Sequence, residues 1–138
     1  FAELADALAP HASKFARACS LDLQGGRLAL DHLWVNLLES GGGHSAHIHP
    51  LSVVSGTYYV DAPDGASAIR FEDPRLGLMM AAPPRRARAP RALQPFVSIA
   101  PKAGTLLLWE SWLRHEVLPH AGTAPRLSIS FNYRWERA

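Results

Sequence analysis

From residue 28 onward the apolar positions fall into short runs that stop at turn-forming residues. Residues 28–38, 52–61, 68–72, 96–100, 105–109 and 126–134 each read as a strand. Gly25-Gly26, Pro63-Asp64-Gly65 and Pro101-Lys102-Ala103-Gly104 supply turns between them. Many short strands with turn signals predict an all-β barrel or sandwich. Residues 1–24 form a helical flank, because Phe1, Leu4, Leu8, Phe15 and Cys19 recur at helical spacing. Pro10 interrupts that pattern, so it predicts two short helices or one kinked helix. Residues 76–95 fit neither pattern. They hold Pro83, Pro84, Pro90 and Pro95 among arginines, and read as a long loop that is either a lid or a solvated segment.

The last run has the clearest alternation. Arg126, Ser128, Ser130 and Asn132 share one face, while Leu127, Ile129, Phe131 and Tyr133 share the other. A polar face turned inward would make a pocket in which Arg126 forks a carboxylate and Ser128 adds a hydroxyl donor. Turned outward, it is an ordinary solvated strand.

Length and composition narrow the class. At 138 residues, 48% of them hydrophobic, the chain is expected to be a single domain, 1–138, with a core of its own. The formal charge is only +2, and 12 of the 14 basic residues are arginine. Four of these sit together in the loop, as Arg85, Arg86, Arg88 and Arg91. That is no broad basic face, so nucleic acid is not an expected partner. No apolar run is long enough to span a membrane. Cys19 is the single cysteine, which excludes an intrachain disulfide and suits a cytoplasmic setting. No signal peptide is visible; the chain begins at Phe1 rather than Met, so upstream residues are expected to be missing, and a leader could have gone with them.

The chemistry is carried by histidines. His47-Ile48-His49 puts two imidazoles at i and i+2, and in an extended segment both rings face one way with Cα atoms about 7 Å apart. Neutral imidazole is accepted by Fe, Zn, Cu and Ni. Pro50 then ends the strand. His115 follows the strand 105–109 after a short bend and is the candidate third ligand. His44, in the Gly41-Gly42-Gly43 loop, is expected to face solvent. His11 and His32 are expected to be structural, and His120 to lie in a turn.

Several of these pieces, taken in order, resemble a known family. They are Trp34-Val35-Asn36, His47-Ile48-His49-Pro50, Ser55-Gly56-Thr57-Tyr58-Tyr59-Val60, Phe71-Glu72-Asp73-Pro74-Arg75, Pro101-Lys102-Ala103-Gly104, Ser111-Trp112-Leu113-Arg114-His115 and Arg126–Asn132. Together they resemble a family of Fe(II)/2-oxoglutarate-dependent oxygenases across roughly residues 30–134. The resemblance implies a double-stranded β-helix, a jelly-roll barrel, with iron at its open end. It implies His47 and His115 as metal ligands, Arg126 on the far carboxylate of 2-oxoglutarate with Ser128 beside it, and Asn36 and Tyr58 lining the cosubstrate pocket. Fe(II), 2-oxoglutarate and O2 are the expected cofactors and co-reactants. A small-molecule or peptide substrate is the expected partner, with at most a second copy of the chain.

The wider superfamily commonly carries Asp or Glu where this chain has His49. Either His49 completes a three-histidine set, which its i, i+2 geometry serves directly, or a carboxylate such as Glu110 or Glu116 does. A cupin-like metalloprotein working without 2-oxoglutarate, and a non-catalytic binding barrel, are the alternatives on the same fold.

Overall fold

A computed structural model describes residues 1–138. One helix, α1 (Ala2–Ala18), precedes eight strands: β1 (Arg27–Leu38), β2 (His44–His47), β3 (Val54–Asp61), β4 (Ile69–Glu72), β5 (Phe96–Ile99), β6 (Leu106–Glu110), β7 (His115–Val117) and β8 (Arg126–Glu136). They form two four-stranded antiparallel sheets, ordered β1-β8-β3-β6 and β2-β7-β4-β5. Two facing antiparallel sheets make the double-stranded β-helix that the family resemblance implies.

The N-terminal segment is one helix rather than two. Leu8, Ala12 and Ala16 recur every four residues and are its buried positions, whereas Phe1 is 77% exposed and belongs to no core. Leu8 and Ala12 pack with Val54, Phe131 and Tyr133. The alanines let the helix lie close to the sheet. Pro10 lies on the exposed side and deletes one backbone donor. Packing against the sheet overrides that local cost.

A second cluster fills the space between the sheets: Leu38, Ile69, Trp109 and Val117, flanked by Phe71, Ile99, Leu107 and Leu113. β8 therefore separates two environments. Its Phe131 and Tyr133 meet α1, and its polar face looks between the sheets. Gly56 of β3 is required where Phe131 crosses it. A Cβ there would lie 2.3 Å from the Phe131 ring and 2.8 Å from the Leu107 carbonyl. Gly43, just before β2, serves in the same way. A Cβ on it would lie 2.8 Å from the Val117 carbonyl, so glycine lets β2 reach β7.

Two strands were hard to see in the sequence. β2 and β7 are four and three residues long, and they pair with each other so that His47 lies opposite His115. The loop after β4 holds two short 3-10 turns, Leu76–Leu78 and Arg91–Leu93. Its entry is clamped by Asp73, which accepts the Arg75 backbone N–H at 2.8 Å and the Arg75 guanidinium at 2.9 and 2.6 Å. The Asp73-Pro74-Arg75 motif is thus a turn device. No helix of the structure is long and apolar enough to cross a membrane.

Candidate metal centre and its cavity

The pairing of β2 with β7 brings three imidazoles together at one mouth of the barrel. The candidate ligand atoms of His47, His49 and His115 all lie within 4.8 Å of one another. His49 Nε2 and His115 Nε2 are 3.2 Å apart. Two nitrogens bound at about 2.1 Å and a right angle to one metal would be separated by roughly 3 Å, so the spacing suits a shared cation. His115 is buried, His49 is half-buried and His47 is the most open.

Two of the rings have their tautomer set by the backbone. His47 Nδ1 donates to the Ser45 carbonyl at 2.6 Å, and His115 Nδ1 donates to the Leu113 carbonyl at 2.8 Å. Each therefore keeps the Nε2 lone pair for a metal, the arrangement that ligating histidines adopt. The Ser111-Trp112-Leu113 motif now has a local explanation. Leu113 orients His115, and the Ser111 carbonyl accepts the His49 backbone N–H at 3.1 Å. Trp112 points outward and is 54% exposed.

Trp109 and Phe71 close the inner side, their ring centroids 4.8 and 5.8 Å from that of His115. Burial there pushes the His115 imidazole down from 6.5 to about 4, against the smaller upward pull of the Leu113 carbonyl. Burial likewise lowers His49, aided by His47. His44 is lowered by burial, then by Arg126 and His47. At neutral pH these three are lone-pair donors rather than cations.

A pH dependence follows. Below pH 6.5 the unfolded chain protonates this histidine while the folded chain resists until about pH 4. Stability carried by neutral His115 is present above 6.5 and is lost as pH falls towards 4, by at most about 3 kcal/mol. Thermal melts of chelator-treated protein should show Tm falling across that window. A His115→Gln variant should show a shallower fall, and parallel curves would contradict the assignment.

The cavity behind the histidines is built from rows of residues across the sheet. Asn36, Ser128 and Tyr59 lie opposite one another on β1, β8 and β3, and the next row is Trp34, Ser130 and Thr57. These six, with Arg126, His44 and the three histidines, line one cavity of about 80 Å³. That is room for several waters, or for the small ligand that displaces them. No Asp or Glu lines it. Glu116 points elsewhere and pairs with Arg70, whose Nε donates to it at 2.7 Å, and Glu110 is also absent from the lining. Neither carboxylate joins the histidine cluster.

Arg126 is 3% exposed, and no carboxylate lies within ion-pair distance of it. Its Nη1 donates to the Ser67 carbonyl at 2.9 Å, its guanidinium sits 5.5 Å from the Tyr59 ring centroid, and its Nε is buried without a partner. Burial lowers its pKa. A buried guanidinium with an unpartnered donor beside an acid-free cavity suits a carboxylate ligand.

Of the residues the sequence singled out, the structure gathers His47, His49, His115, Arg126, Ser128 and Asn36 around this cavity. Tyr58 is the correction. It lies opposite Ile129, on the other face of β3, and Tyr59 lines the cavity instead. The period-2 alternation of the strand decides between two adjacent tyrosines. Asn36 is held by its neighbours, donating to Ser130 Oγ at 2.8 Å and accepting from Trp34 Nε1 at 3.2 Å. His44 is a second correction, since it lines the cavity rather than facing solvent. His120 is likewise more than a turn residue. It is 2% exposed, its Nδ1 accepts the Ser67 N–H at 3.4 Å, and its Nε2 donates to the Ala124 carbonyl at 2.8 Å. The loop 76–95 contributes nothing to this cavity. Its Arg91, Ala92 and Gln94 instead wall a separate apolar cavity of about 360 Å³ with Phe71, Leu107 and Trp109.

The sequence model of the family described as "Putative 2OG-Fe(II) oxygenase" matches residues 32–132. The chain belongs to this family. As a member of the 2OG-Fe(II) oxygenases it is similar to solved structures that share the fold. An oxidoreductase of the 2OG-Fe(II) oxygenase family from Burkholderia pseudomallei aligns with TM-score 0.59 and 16% identity, over 83% of this chain and 48% of that one. A prolyl-4-hydroxylase from Pseudomonas putida aligns with TM-score 0.57 and 20% identity, over 89% and 61%. The non-heme α-ketoglutarate-dependent epimerase of nogalamycin biosynthesis aligns with TM-score 0.60 and 18% identity, over 88% and 52%. The chain thus spans between 48% and 61% of the length of these structures. No curated protein matches the chain.

Proposed function

We propose that the chain is the catalytic barrel of an Fe(II)- and 2-oxoglutarate-dependent dioxygenase that hydroxylates a small molecule or a peptide, with His47, His49 and His115 as its metal ligands. The observation that carries this reading is the donor set. Backbone carbonyls hold the Nδ1 protons of His47 and His115, and the freed Nε2 atoms face a cavity that ends at an unpaired, buried Arg126. Fe(II) held there would supply O2 activation, with 2-oxoglutarate oxidised to succinate and CO2, one oxygen atom of O2 going to succinate and the other into a substrate C–H bond.

The residues have separate tasks. Three neutral imidazoles leave the metal its full 2+ charge, so the set favours a dianionic co-ligand. Arg126 forks the far carboxylate, and the Ser128 hydroxyl adds a donor beside it. Asn36 and Tyr59 shape the cavity wall, with Tyr59 stacked beneath the guanidinium. Trp109 and Phe71 keep water from the inner side of His115, which strengthens every polar contact in the cavity.

Anaerobic Fe(II) and 2-oxoglutarate added together should produce the weak visible band of the chelate, and exposure to O2 should then yield succinate. No band in iron-loaded protein would sink the reading. Iron bound without succinate across a broad substrate screen would favour the cupin-like alternative.

A further inference from the structure

Next to the histidines runs a buried polar chain that the reading above does not use. The Asn132 side-chain amide nitrogen lies 3.2 Å from His49 Nδ1, and its Oδ1 accepts from Ser55 Oγ at 2.8 Å. Ser55 Oγ is in turn 2.8 Å from Ser111 Oγ. These three residues are 8%, 1% and 0% exposed. Ser111 also takes the His49 backbone N–H on its carbonyl. Ring and backbone of His49 therefore hang on one network.

The protons in this arrangement can be assigned. His115 donates from Nδ1 to Leu113, so its Nε2 accepts. His49 Nε2, 3.2 Å away, must then carry a proton and donate it. His49 Nδ1 consequently accepts from the Asn132 amide. These bonds are mutually consistent, but both Nε2 positions that a cation needs are occupied by the contact between the two rings. A half-turn of the Asn132 amide reverses the chain. Its Oδ1 then accepts a proton-bearing His49 Nδ1, its nitrogen donates to Ser55 Oγ, and Ser55 donates to Ser111. Carbonyl and amide have nearly the same shape, so the half-turn requires no repacking.

We propose that Asn132 is a positioning residue for the metal centre, turning over together with the Ser55 and Ser111 hydroxyls so that His49 holds its proton on Nδ1 and offers Nε2 to the cation. The inference rests on the three-histidine reading and adds what sets its weakest member. No backbone carbonyl orients the His49 ring as Ser45 and Leu113 orient the other two, and Asn132 takes that place. A group that orients a ligating histidine typically changes metal affinity about 10–100-fold when removed.

The test uses Co(II) and Zn(II), independently of turnover. Asn132→Leu should weaken Co(II) binding by about 10–100-fold. Asn132→Asp, whose carboxylate can only accept, should restore it, a rescue that a purely structural role would not produce. Imidazole 15N spectra of Zn(II)-loaded wild-type protein should show His49 protonated on Nδ1. The inference is overturned if Asn132→Leu binds Co(II) like wild type, if Asn132→Asp is as weak as Asn132→Leu, or if Zn(II)-loaded His49 keeps its proton on Nε2. The spectra need no variant, so they decide the matter even if Asn132→Leu fails to fold. Wild-type protein that takes up neither metal would instead sink the three-histidine reading itself, and this inference with it.

Discussion

Replacing Arg126 by Met should weaken 2-oxoglutarate binding by at least about a hundredfold while leaving the fold as stable as before or more so. The two effects have one cause. Arg126 is buried at 3% exposure, and no side-chain carboxylate pairs with it. The free chain therefore bears the desolvation of an isolated guanidinium, relieved by one bond to the Ser67 carbonyl and by the Tyr59 ring. Methionine has similar length, fills the same space and removes the charge. Folding loses a hydrogen bond but no longer desolvates a cation. Binding loses the fork that meets a carboxylate, a buried charge-assisted contact whose removal costs about 3–5 kcal/mol, or roughly two to four decades of affinity. Arg126→Lys should fall between, keeping charge but not the bidentate geometry. Calorimetric titration with 2-oxoglutarate on metal-loaded protein, together with thermal melts, measures both halves. Unchanged affinity in Arg126→Met would show that the cosubstrate is anchored elsewhere.

The second large effect is at His115. His115→Ala should reduce metal affinity by more than about a hundredfold, beyond the range typical for residues that merely orient a ligand. One of three donors disappears, and the other two, His47 and His49, come from a single segment and hold one side only. The ring also packs against Trp109 and Phe71, so Ala leaves a cavity and should cost about 2–4 kcal/mol of stability. His115→Gln retains most of the volume and separates the two losses. It should lose metal as Ala does and melt closer to wild type. His44→Ala is the control, because His44 lines the same cavity but lies outside the three-histidine cluster. It should bind metal at wild-type stoichiometry. Equal metal loss in His44→Ala and His115→Ala would contradict the three-residue cluster.

Where the sequence was legible, a local period carried the information. The alternation of residues 126–134 defines two faces of β8 wherever that strand sits, and both faces are used as the pattern implies. His47 and His49 share a direction because two residues of extended chain return a side chain to the same side. The turn residues mark the strand ends, so the long strands β1, β3 and β8 could be read almost to their boundaries. Where the sequence was misleading, the local signal was weak or two neighbours were equivalent to it. Tyr58 and Tyr59 are the same residue type, and only the register with Ser128 separates them. His44 follows three glycines, which read as solvent-exposed loop, yet Gly43 is there to let β2 approach β7. Pro10 reads as a break, and packing of Leu8 and Ala12 on the sheet keeps the helix whole.

By itself, then, the sequence determined the strands, the sense of each face and the residue types available for chemistry, because side-chain direction repeats every two residues along extended chain. It left open whether β8's polar face meets water or a cavity, which carboxylate or imidazole completes the metal set, and what orients His49. Tertiary structure alone shows that the polar face of β8 lines a cavity, that His49 rather than a carboxylate lies with His47 and His115, and that Asn132 lies beside the His49 ring. These placements depend on contacts between residues 66 positions apart, as for His49 and His115, or 83 apart, as for His49 and Asn132. No periodicity reaches that far along the chain. The pairing of two very short strands, β2 and β7, brings His49 and His115 within hydrogen-bonding distance.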